Sequence, residues 1–332
     1  MTYRQQLLER LAVGERIIRE TPIIELQDSY LMLHTKLEFL NGIGSIKDRP
    51  AFWILKRGIE RGEIGPDTTI IESSSGNFAC ALASFCRILK LQFIPVLDPV
   101  VPPAYEAYLR SMCGRVVKVD ECDETGGYLK TRLRMVQTLK AEISECFWTN
   151  QYENPDGMDA HYRLTGQEIL RNLPKVEYVF LGVSSAGTIS GVSRALKEHN
   201  PDVRIIAVDA EGSVIFGQKP KKRYISGIGS SITPPLLRQA LIDDIAIVSE
   251  RDTLSACHEL LMRHRLFVGG STGTVYSAIQ SYFNGKKLKR PPVVLFLCCD
   301  RGTAYLHNVY NPEWAAVHFK ETAMAALTSV AS

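Results

Sequence analysis

The hydrophobic positions of the chain fall into short apolar runs that are separated by longer amphipathic stretches. Apolar runs of strand length occur at residues 68–72 (TTIIE), 91–98 (LQFIPVLD), 115–119 (RVVKV), 176–183 (VEYVFLGV), 203–210 (VRIIAVDA), 244–250 (DIAIVSE) and 292–300 (PVVLFLCCD). Helix-like stretches lie between them at residues 77–90, 104–114, 127–143, 188–200 and 253–266. Strands that alternate with helices in this way predict parallel sheets that helices cover on both faces.

These segments form two groups, which predict an α/β fold with two open, mainly parallel sheets flanked by helices. We expect a smaller domain at residues 42–145 and a larger domain made of residues 1–41 plus 146–332. No Pro-, Ser- or Gly-rich linker separates the groups, so two closely packed domains with a cleft between them are expected. Ligands of such sheets bind beyond the carboxyl ends of the strands, so functional residues should directly follow strands.

Composition narrows the class of protein. The chain has 332 residues, a net charge of +3 and no long basic run, so neither a nucleic-acid nor a membrane partner is indicated. No apolar run approaches the roughly 18 residues that span a bilayer, and the N-terminus lacks the features of a secretion signal. The eight cysteines include no CxxC pair, which favours buried free thiols in a reducing cytoplasm. The seven histidines show no ligand spacing for zinc, and no metal is expected.

One lysine lies in an unusual place. In NGIGSIKDRPAF, residues 41–52, Lys47 follows two glycines and a candidate capping serine at the start of a predicted helix. A cation at this end opposes the helix dipole, which favours anions there. This position therefore suggests that Lys47 reaches a ligand.

Three loops rich in glycine and serine each open a predicted helix. They are SSSGN (73–77), SSAGTISG (184–191) and GGSTG (269–273). Hydroxyl groups and free backbone N–H groups at a helix N-terminus can bind an anion, such as a carboxylate or a phosphate. A simple helix cap is the alternative for any one of them. The nucleotide patterns GxxxxGK[ST] and GxGxxG are absent, so a phosphate other than that of a nucleotide is favoured.

In this order and spacing, GSIKDRPA, SSSGN, SSAGTISG and GGSTG resemble the motifs of fold-type-II pyridoxal-phosphate enzymes of the cysteine synthase and cystathionine β-synthase group. The resemblance covers the chain from Thr21-Pro22 to Asp300-Arg301-Gly302. It implies a fold like that of the tryptophan synthase β-subunit, pyridoxal 5'-phosphate as the cofactor, and a homodimer, for which the apolar N-terminal helix is a candidate interface.

The resemblance also implies roles for individual residues. Lys47 would hold the cofactor as an imine and move protons, and Asn77 would bind the 3-oxygen of its ring. Ser271 would meet the ring nitrogen. The residues expected to bind the cofactor phosphate are Ser184, Ser185, Ala186, Gly187 and Thr188. The residues expected to bind the α-carboxylate of the amino-acid substrate are Ser73, Ser74, Ser75 and Gly76.

Three further motifs, at residues 123–132, 150–155 and 209–231, resemble one branch of this group. These are the N-(2-amino-2-carboxyethyl)-L-glutamate synthases, which join O-phospho-L-serine to L-glutamate for 2,3-diaminopropionate formation in siderophore and antibiotic biosynthesis. The substrates need cations, and the candidates are Arg132, Lys219, Lys221, Lys222 and Arg223. For the leaving phosphate, Arg132 is expected to act with Tyr152 and Ser185. Gly227, in SGIGSS, is expected at the substrate site.

Several alternatives stay open at this point. Ser184 and Ala186 stand where cysteine synthases usually carry glycine, and Phe78 replaces a small threonine, which puts sulfide use in doubt. A cysteine synthase acting on O-acetylserine or O-phosphoserine remains the alternative, as does a cofactor-binding scaffold without turnover. Arg132 could lie on a solvated helix face, the KPKKR run could be a surface loop, and Tyr152 could be a packing aromatic.

Overall fold

The computed structural model describes residues 1–124 and 126–319. Thr125, which is part of the motif at residues 123–132, and residues 320–332 lie outside the described residues. The strands are β1 (Ile23–Leu26), β2 (Met32–Lys36), β3 (Thr69–Glu72), β4 (Phe93–Leu97), β5 (Val117–Lys118), β6 (Cys146–Trp148), β7 (Tyr178–Gly182), β8 (Arg204–Ala210), β9 (Asp244–Val248) and β10 (Val293–Leu297).

The α-helices are α1 (Tyr3–Glu15), α2 (Asp48–Arg61), α3 (Asn77–Leu89), α4 (Pro103–Met112), α5 (Leu129–Glu142), α6 (Pro155–Ala160), α7 (Gln167–Asn172), α8 (Gly187–His199), α9 (Glu250–His264), α10 (Gly270–Phe283) and α11 (Pro312–Phe319). A π-helical segment, His161–Gly166, joins α6 to α7. Short 3-10 helices occupy Glu38–Leu40, Pro235–Gln239 and Gly302–Tyr305. Within the described residues, no helix combines the length and the apolar character that a membrane crossing requires.

The strands form two sheets, as the alternating pattern predicts. One sheet has six strands in the order β1-β2-β10-β7-β8-β9, and the other has four in the order β5-β4-β3-β6. Only the pairing of β1 with β2 is antiparallel among the pairings that the structure describes. The predicted fold class, two mainly parallel sheets flanked by helices, is confirmed.

Strand β10 shows why the apolar runs are continuous rather than alternating. Val294 and Phe296 pack into one hydrophobic cluster, whereas Leu295 and Leu297 pack into another. Successive side chains of a strand point to opposite faces, so the two clusters lie on the two faces of the sheet. A strand covered on both faces reads as an uninterrupted hydrophobic segment.

The N-terminal helix packs within the chain. Leu7 and Leu11 of α1 are fully buried in the hydrophobic cluster that contains residues of α2 and α3. The two strands that follow α1 belong to the six-stranded sheet, and β6 pairs with β3 although it begins just beyond residue 145. The division into residues 42–145 and residues 1–41 plus 146–332 stays a prediction.

The eight cysteines are free thiols. Cys80, Cys86, Cys257 and Cys298 are buried, whereas Cys122 is exposed. Burial raises the pKa of the Cys80 thiol to about 12, and the pKa of the Cys298 thiol is likewise raised to about 12. The buried cysteines therefore behave as small apolar side chains.

Candidate active site

The carboxyl ends of the central strands bring the predicted loops together. Strand β3 leads into SSSGN and α3, and β7 leads into SSAGTISG and α8. One cavity between these loops is lined by Lys47, Pro50, Ile54, Phe78, Gln151, Gly157, His161, Ser185 and Gly187. The candidate amine and the candidate phosphate loop therefore face the same cavity.

Lys47 occupies the residue directly before α2 rather than a position within its first turn. No hydrogen bond of its amine is found among the described residues, and burial lowers the pKa of that amine. Cys299 and Asp300 oppose this shift without cancelling it. A buried amine without an acceptor is favoured in its neutral form, which is the nucleophilic one.

Asn77 is held from both sides. Its Nδ2 donates to Oδ2 of Asp300 at 2.7 Å, and its Oδ1 accepts from the Tyr105 hydroxyl at 2.5 Å. Tyr305 also donates to Oδ2 of Asp300, at 3.0 Å, while Oδ1 of Asp300 is buried and no hydrogen-bond partner for it lies in the described part of the chain. Burial raises the pKa of Asp300. The side chain of Asn77 is therefore fixed at the start of α3 before any ligand binds.

The SSSGN loop has hydroxyl groups in different states. The Ser73 hydroxyl is buried and has no hydrogen-bond partner among the described residues, and Ser74 is also buried. Ser75 donates to Asp98 Oδ2 at 2.9 Å and accepts from Arg132 Nη1 at 2.9 Å. A Cβ added at Gly76 would meet no atom within 4 Å, so the backbone there is open to the cleft.

Arg132 lies in the cleft instead of on a solvated helix face, so that alternative is wrong. Its side chain is only 12% exposed, and its Nε lies 3.3 Å from Oδ2 of Asp98. Together with the hydrogen bond to Ser75, this places the guanidinium beside the candidate carboxylate loop. The charge of Arg132 is already partly balanced by Asp98.

A neutral histidine, His161, lies within hydrogen-bond distance of Thr188 at the start of α8. Thr188 lies 3.2 Å from Nε2 of His161, and Nδ1 of His161 lies 3.0 Å from the Thr165 hydroxyl. Burial lowers the pKa of His161 to about 3, so its ring is uncharged near neutral pH. The π-helical segment carrying His161 approaches α8 closely, because a Cβ at Gly191 would lie 2.7 Å from Cβ of His161.

Three other residues of this loop have distinct environments. The Ser184 hydroxyl donates to the carbonyl oxygen of Gly229 at 3.2 Å, and Ser185 lines the cavity. Ala186 adopts a left-handed conformation with φ of 66°. This conformation suits glycine and strains alanine.

Ser271 is buried near the start of α10 and shares a hydrogen bond with the Cys299 thiol. Gly227 lies against it, since a Cβ at Gly227 would be 3.7 Å from Cβ of Ser271. Gly227 also has a φ of 97°, which favours glycine. The structure thus brings Ser271 and Gly227 together at one wall of the cleft.

Tyr152 is partly buried, and no aromatic ring pairs with it among the described residues. Its interpretation as a packing aromatic therefore stays open. Burial raises the pKa of its hydroxyl, whereas Arg132 and Arg223 both act to lower it. Two guanidinium groups therefore lie near this phenol.

A buried ionic group anchors the segment that carries Lys47. We call it the Arg49 cluster, and it consists of Lys36, Glu38, Arg49 and Glu168. Arg49 contacts Glu38 and Glu168 at 2.6 Å each, and Lys36 contacts Glu168 at 2.6 Å. All four residues are almost fully buried. The cluster ties the first turn of α2 to β2 and α7, so the position of Lys47 is set by strong contacts two residues away.

Reasoning from the sequence missed several of these residues. Asp98, Tyr105, His161 and Asp300 contact candidate residues from distant parts of the chain. The only signal for Asp300 was its place in Asp300-Arg301-Gly302, where the resemblance ends. His161 gave none, because a lone histidine has no pattern to recognise.

The residues fit a cofactor that carries both an aldehyde and a phosphate. An amine whose pKa is lowered by burial and a helix N-terminus with hydroxyl groups line one cavity, and an amide that Asp300 orients lies at the start of α3. Oδ1 of Asp300, which has no partner among the described residues, can accept a hydrogen bond from a ligand, and the open space at Gly76 lets a ligand approach the backbone. Of the residues expected around such a cofactor, Ser185 and Gly187 line the same cavity as Lys47.

Comparison with known families gives one extended match. A sequence profile of the family described as "Pyridoxal-phosphate dependent enzyme" matches residues 15–300. The match includes Lys47, Asn77, the loop at residues 184–188 and Ser271.

Two bacterial relatives are similar over nearly the full chain. The N-(2-amino-2-carboxyethyl)-L-glutamate synthase of Ralstonia nicotianae is 43% identical over 301 residues, which cover 89% of this chain and 88% of that protein. The protein of the same name from Cupriavidus metallidurans is 39% identical over 324 residues, covering 95% of each chain.

Among solved structures, the O-acetylserine-dependent cystathionine β-synthase of Helicobacter pylori superposes with a TM-score of 0.83. The two chains are 29% identical, and the match covers 90% of this chain and 98% of the other. The fold is therefore shared with an O-acetylserine-dependent enzyme.

Proposed function

The chain belongs to the pyridoxal-phosphate-dependent enzymes, and from this premise we propose that it catalyses a β-replacement between O-phospho-L-serine and L-glutamate. The products are N-(2-amino-2-carboxyethyl)-L-glutamate and phosphate, which would serve 2,3-diaminopropionate synthesis. The names of the relatives at 43% and 39% identity support this proposal. The reaction breaks the Cβ–O bond of the donor and forms a Cβ–N bond to the acceptor, whose amine loses a proton.

One observation in the cleft carries the proposal. Arg132 donates to Ser75 and lies beside Asp98, at the loop proposed to bind the donor carboxylate. A guanidinium at this place suits an anionic leaving group on the β-carbon, because arginine matches phosphate oxygens with paired N–H donors. The acetyl ester of O-acetylserine carries no charge before the Cβ–O bond breaks, so it has less need of a guanidinium.

Pyridoxal phosphate, when bound, withdraws electrons from the substrate so that the α-proton and then the β-substituent can leave. We propose that Lys47 and Asn77 hold it together with Ser271 and the loop at residues 184–188. Thr188, positioned by His161, would contribute a hydroxyl group to its phosphate. A hydroxyl group at Ser271, rather than a carboxylate, would leave the ring nitrogen unprotonated and favour β-elimination.

Lys47 is proposed to move the α-proton. Its amine must be neutral to accept a proton, and burial lowers its pKa in that direction. Asp300 lies close enough to influence this pKa and also fixes Asn77, so it links the base to the candidate ring site.

The donor carboxylate is proposed to bind at the SSSGN loop. Its hydroxyl groups and the N–H groups at the start of α3 can accept an anion with the help of the helix dipole. The unpartnered Ser73 hydroxyl and the open Gly76 backbone are available for this purpose. Tyr152 and Ser185 are proposed to contact the phosphate with Arg132, and Gly227 to border the substrate.

The decisive experiment supplies the purified holoenzyme with pairs of substrates and identifies the products by mass spectrometry. We expect O-phospho-L-serine and L-glutamate to give one phosphate for each molecule of the joined amino acid. Formation of cysteine from O-acetylserine and sulfide, without the joined product, would instead identify a cysteine synthase. Absence of any donor-dependent spectral change would favour a scaffold without turnover.

A homodimer and a cytoplasmic location complete the proposal. Family resemblance supports the first, and free buried thiols support the second. Because Leu7 and Leu11 are buried within the chain, the interface must use other residues than these two. Light scattering coupled to size-exclusion chromatography would give the mass of the assembly.

A further inference from the structure

The basic run at residues 219–223 contains two kinds of side chain. Lys219, Lys221 and Lys222 are exposed. Lys221 pairs with Glu211, and Lys222 lies 5.1 Å from the centre of the Tyr224 ring. Arg223 differs because it is partly buried, so only part of this run is a surface loop.

The guanidinium of Arg223 has little to balance its charge. Its Nη1 donates to the carbonyl oxygen of Ile228 at 3.0 Å. No carboxylate of the described residues lies within 4.0 Å of it. Burial lowers the pKa of Arg223, and the more distant Asp209 and Glu250 only partly offset this effect. A cation taken from water without a partner is costly, so its retention points to an anion that arrives from outside.

Its position is the wall of the candidate active site. Arg223 packs against Gly229, where a Cβ would lie 2.2 Å from its Nη1. The carbonyl of Gly229 in turn accepts from Ser184, and nearby Gly227 lies against Ser271. The guanidinium also acts on the pKa of Tyr152. The segment that holds Arg223 is therefore continuous with the residues proposed to hold the cofactor.

Arg132 and Arg223 are placed to serve different ligands. Arg132 touches Ser75 of the proposed carboxylate loop and is balanced by Asp98, whereas Arg223 touches the loop at residues 227–229 and has no such partner. The reaction brings two anionic groups besides the donor carboxylate, namely the leaving phosphate and the acceptor. The two cations lie against separate loops of the cleft.

We propose that Arg223 binds the side-chain carboxylate of the incoming amino acid and so selects a dicarboxylic amino acid as the acceptor. This inference rests on the proposed function, because it presumes an amine acceptor. Arg223 would orient the acceptor nitrogen toward the donor β-carbon. It would take no part in the release of phosphate.

The test compares Arg223→Gln and Arg223→Lys with the wild-type holoenzyme, and uses Lys222→Gln as a matched control on the same loop. Two steps are measured separately. The first is the spectral change that O-phospho-L-serine alone produces, followed by stopped flow. The second is the KM for L-glutamate, compared with the KM for L-glutamine, which lacks the side-chain carboxylate.

We expect Arg223→Gln to raise the KM for L-glutamate at least about tenfold, as loss of a charge partner in a partly buried pair does. The KM for L-glutamine should change by less than about threefold, and the donor step should be unchanged. Arg223→Lys keeps the charge and should fall between wild type and Arg223→Gln, which covers the case where the glutamine variant does not fold. Lys222→Gln should behave as wild type.

Three outcomes would count against this assignment in distinguishable ways. An unchanged KM for L-glutamate in both Arg223 variants would overturn the inference and leave the proposed function intact. A slower donor step with an unchanged KM would overturn it as well, and would assign Arg223 to the leaving phosphate. Failure of the wild-type enzyme to join L-glutamate to the donor would refute the proposed function and the acceptor assignment together.

Discussion

Two fully buried glutamates show how differently this protein treats charge in two regions. Glu38 belongs to the Arg49 cluster, and Glu72 is the last residue of β3, directly before the SSSGN loop of the candidate active site. Both oxygens of Glu38 accept hydrogen bonds, from Arg49, Thr21 and Asn41. Glu72 accepts from Thr149 and Gln151 at Oε2, whereas its Oε1 has no hydrogen-bond partner within residues 1–124 and 126–319.

The pKa values of these two carboxyl groups move in opposite directions. Burial alone would raise the pKa of Glu38, but Arg49 and Lys36 more than offset it, so that pKa is lowered. Burial raises the pKa of Glu72 to about 7, since its hydrogen bonds and the more distant Arg132 offset it only in part. Equal burial therefore does not predict equal cost. The number and charge of its hydrogen-bond partners decide whether the ionised form of a buried glutamate stabilises the fold or destabilises it.

The largest expected effect comes from a substitution in the candidate active site. Lys47→Ala should lower the rate of product formation at least about a thousandfold, because both the cofactor amine and the proposed base are lost. The same change removes a buried amine without an acceptor, so the free energy of unfolding should change by less than about 1 kcal/mol. Activity assays and urea unfolding measure the two quantities.

Lys56→Ala, in the helix α2 that Lys47 precedes, is the matched control and should keep full activity, because Lys56 lies against Trp53. Retention of the visible absorption band of the cofactor in the Lys47→Ala protein would contradict the assignment of Lys47.

The next effect breaks the other region. Arg49→Met leaves Glu38 and Glu168 buried with only Lys36 nearby, so it should cost about 3–5 kcal/mol of unfolding free energy. Chemical denaturation followed by circular dichroism measures the loss. A change below about 1 kcal/mol would show that the Arg49 cluster contributes little, and the comparison would fail on its structural side.

A pH series sharpens the contrast between the two glutamates. A carboxyl group with a raised pKa binds its proton more tightly in the folded state, so Glu72 costs stability as pH rises from about 4.5 to about 7. As pH rises over this interval, the free energy of unfolding of Glu72→Gln should therefore increase relative to that of the wild type, by on the order of 1–3 kcal/mol.

Glu38→Gln should show the reverse dependence. The lowered pKa of Glu38 gives stability that is present above about pH 4.5 and is lost as pH falls through the folded-state value. The variant should be less stable than the wild type at pH 7, with a deficit that shrinks in acid. If the stability of both variants relative to the wild type changed with pH in the same direction, the proposed difference between Glu38 and Glu72 would be wrong.

The smallest expected effect concerns the loop before α8. Ala186→Gly removes the strain of a left-handed alanine but makes the unfolded chain more flexible, so the net gain should be about 0–1 kcal/mol. Thermal unfolding of the cofactor-free protein measures it. A loss of more than about 1 kcal/mol would mean that the alanine methyl group makes contacts that outweigh the strain.

Much of the fold followed from hydrophobic periodicity. The runs at residues 91–98 and 203–210 became β4 and β8, because strands buried on both faces must be continuously apolar. Strands β1, β2 and β6 were not predicted. β6 is three residues long, and β1 has exposed or half-buried residues at three of its four positions, so neither gives a clear apolar run.

The candidate site was less predictable than the fold. The loops could be recognised because their glycines and serines are adjacent in sequence. Their partners could not, since Asn77 and Asp300 are 223 residues apart and only the folded chain brings them together. The same holds for Arg223, which looks like one of several basic residues in KPKKR until its burial separates it from the lysines. The roles of the site residues stay predictions.

The exposure of Cys122 has a practical consequence for spectroscopy. Cys122 precedes α5, the helix that carries Arg132, and it is the exposed member of the eight thiols. A thiol-reactive fluorophore should attach there first, since the buried cysteines are shielded and their thiolates are disfavoured. The unmodified sequence thus already offers a reporter position near the proposed donor-binding cation, from which energy transfer to the cofactor could follow substrate binding in real time.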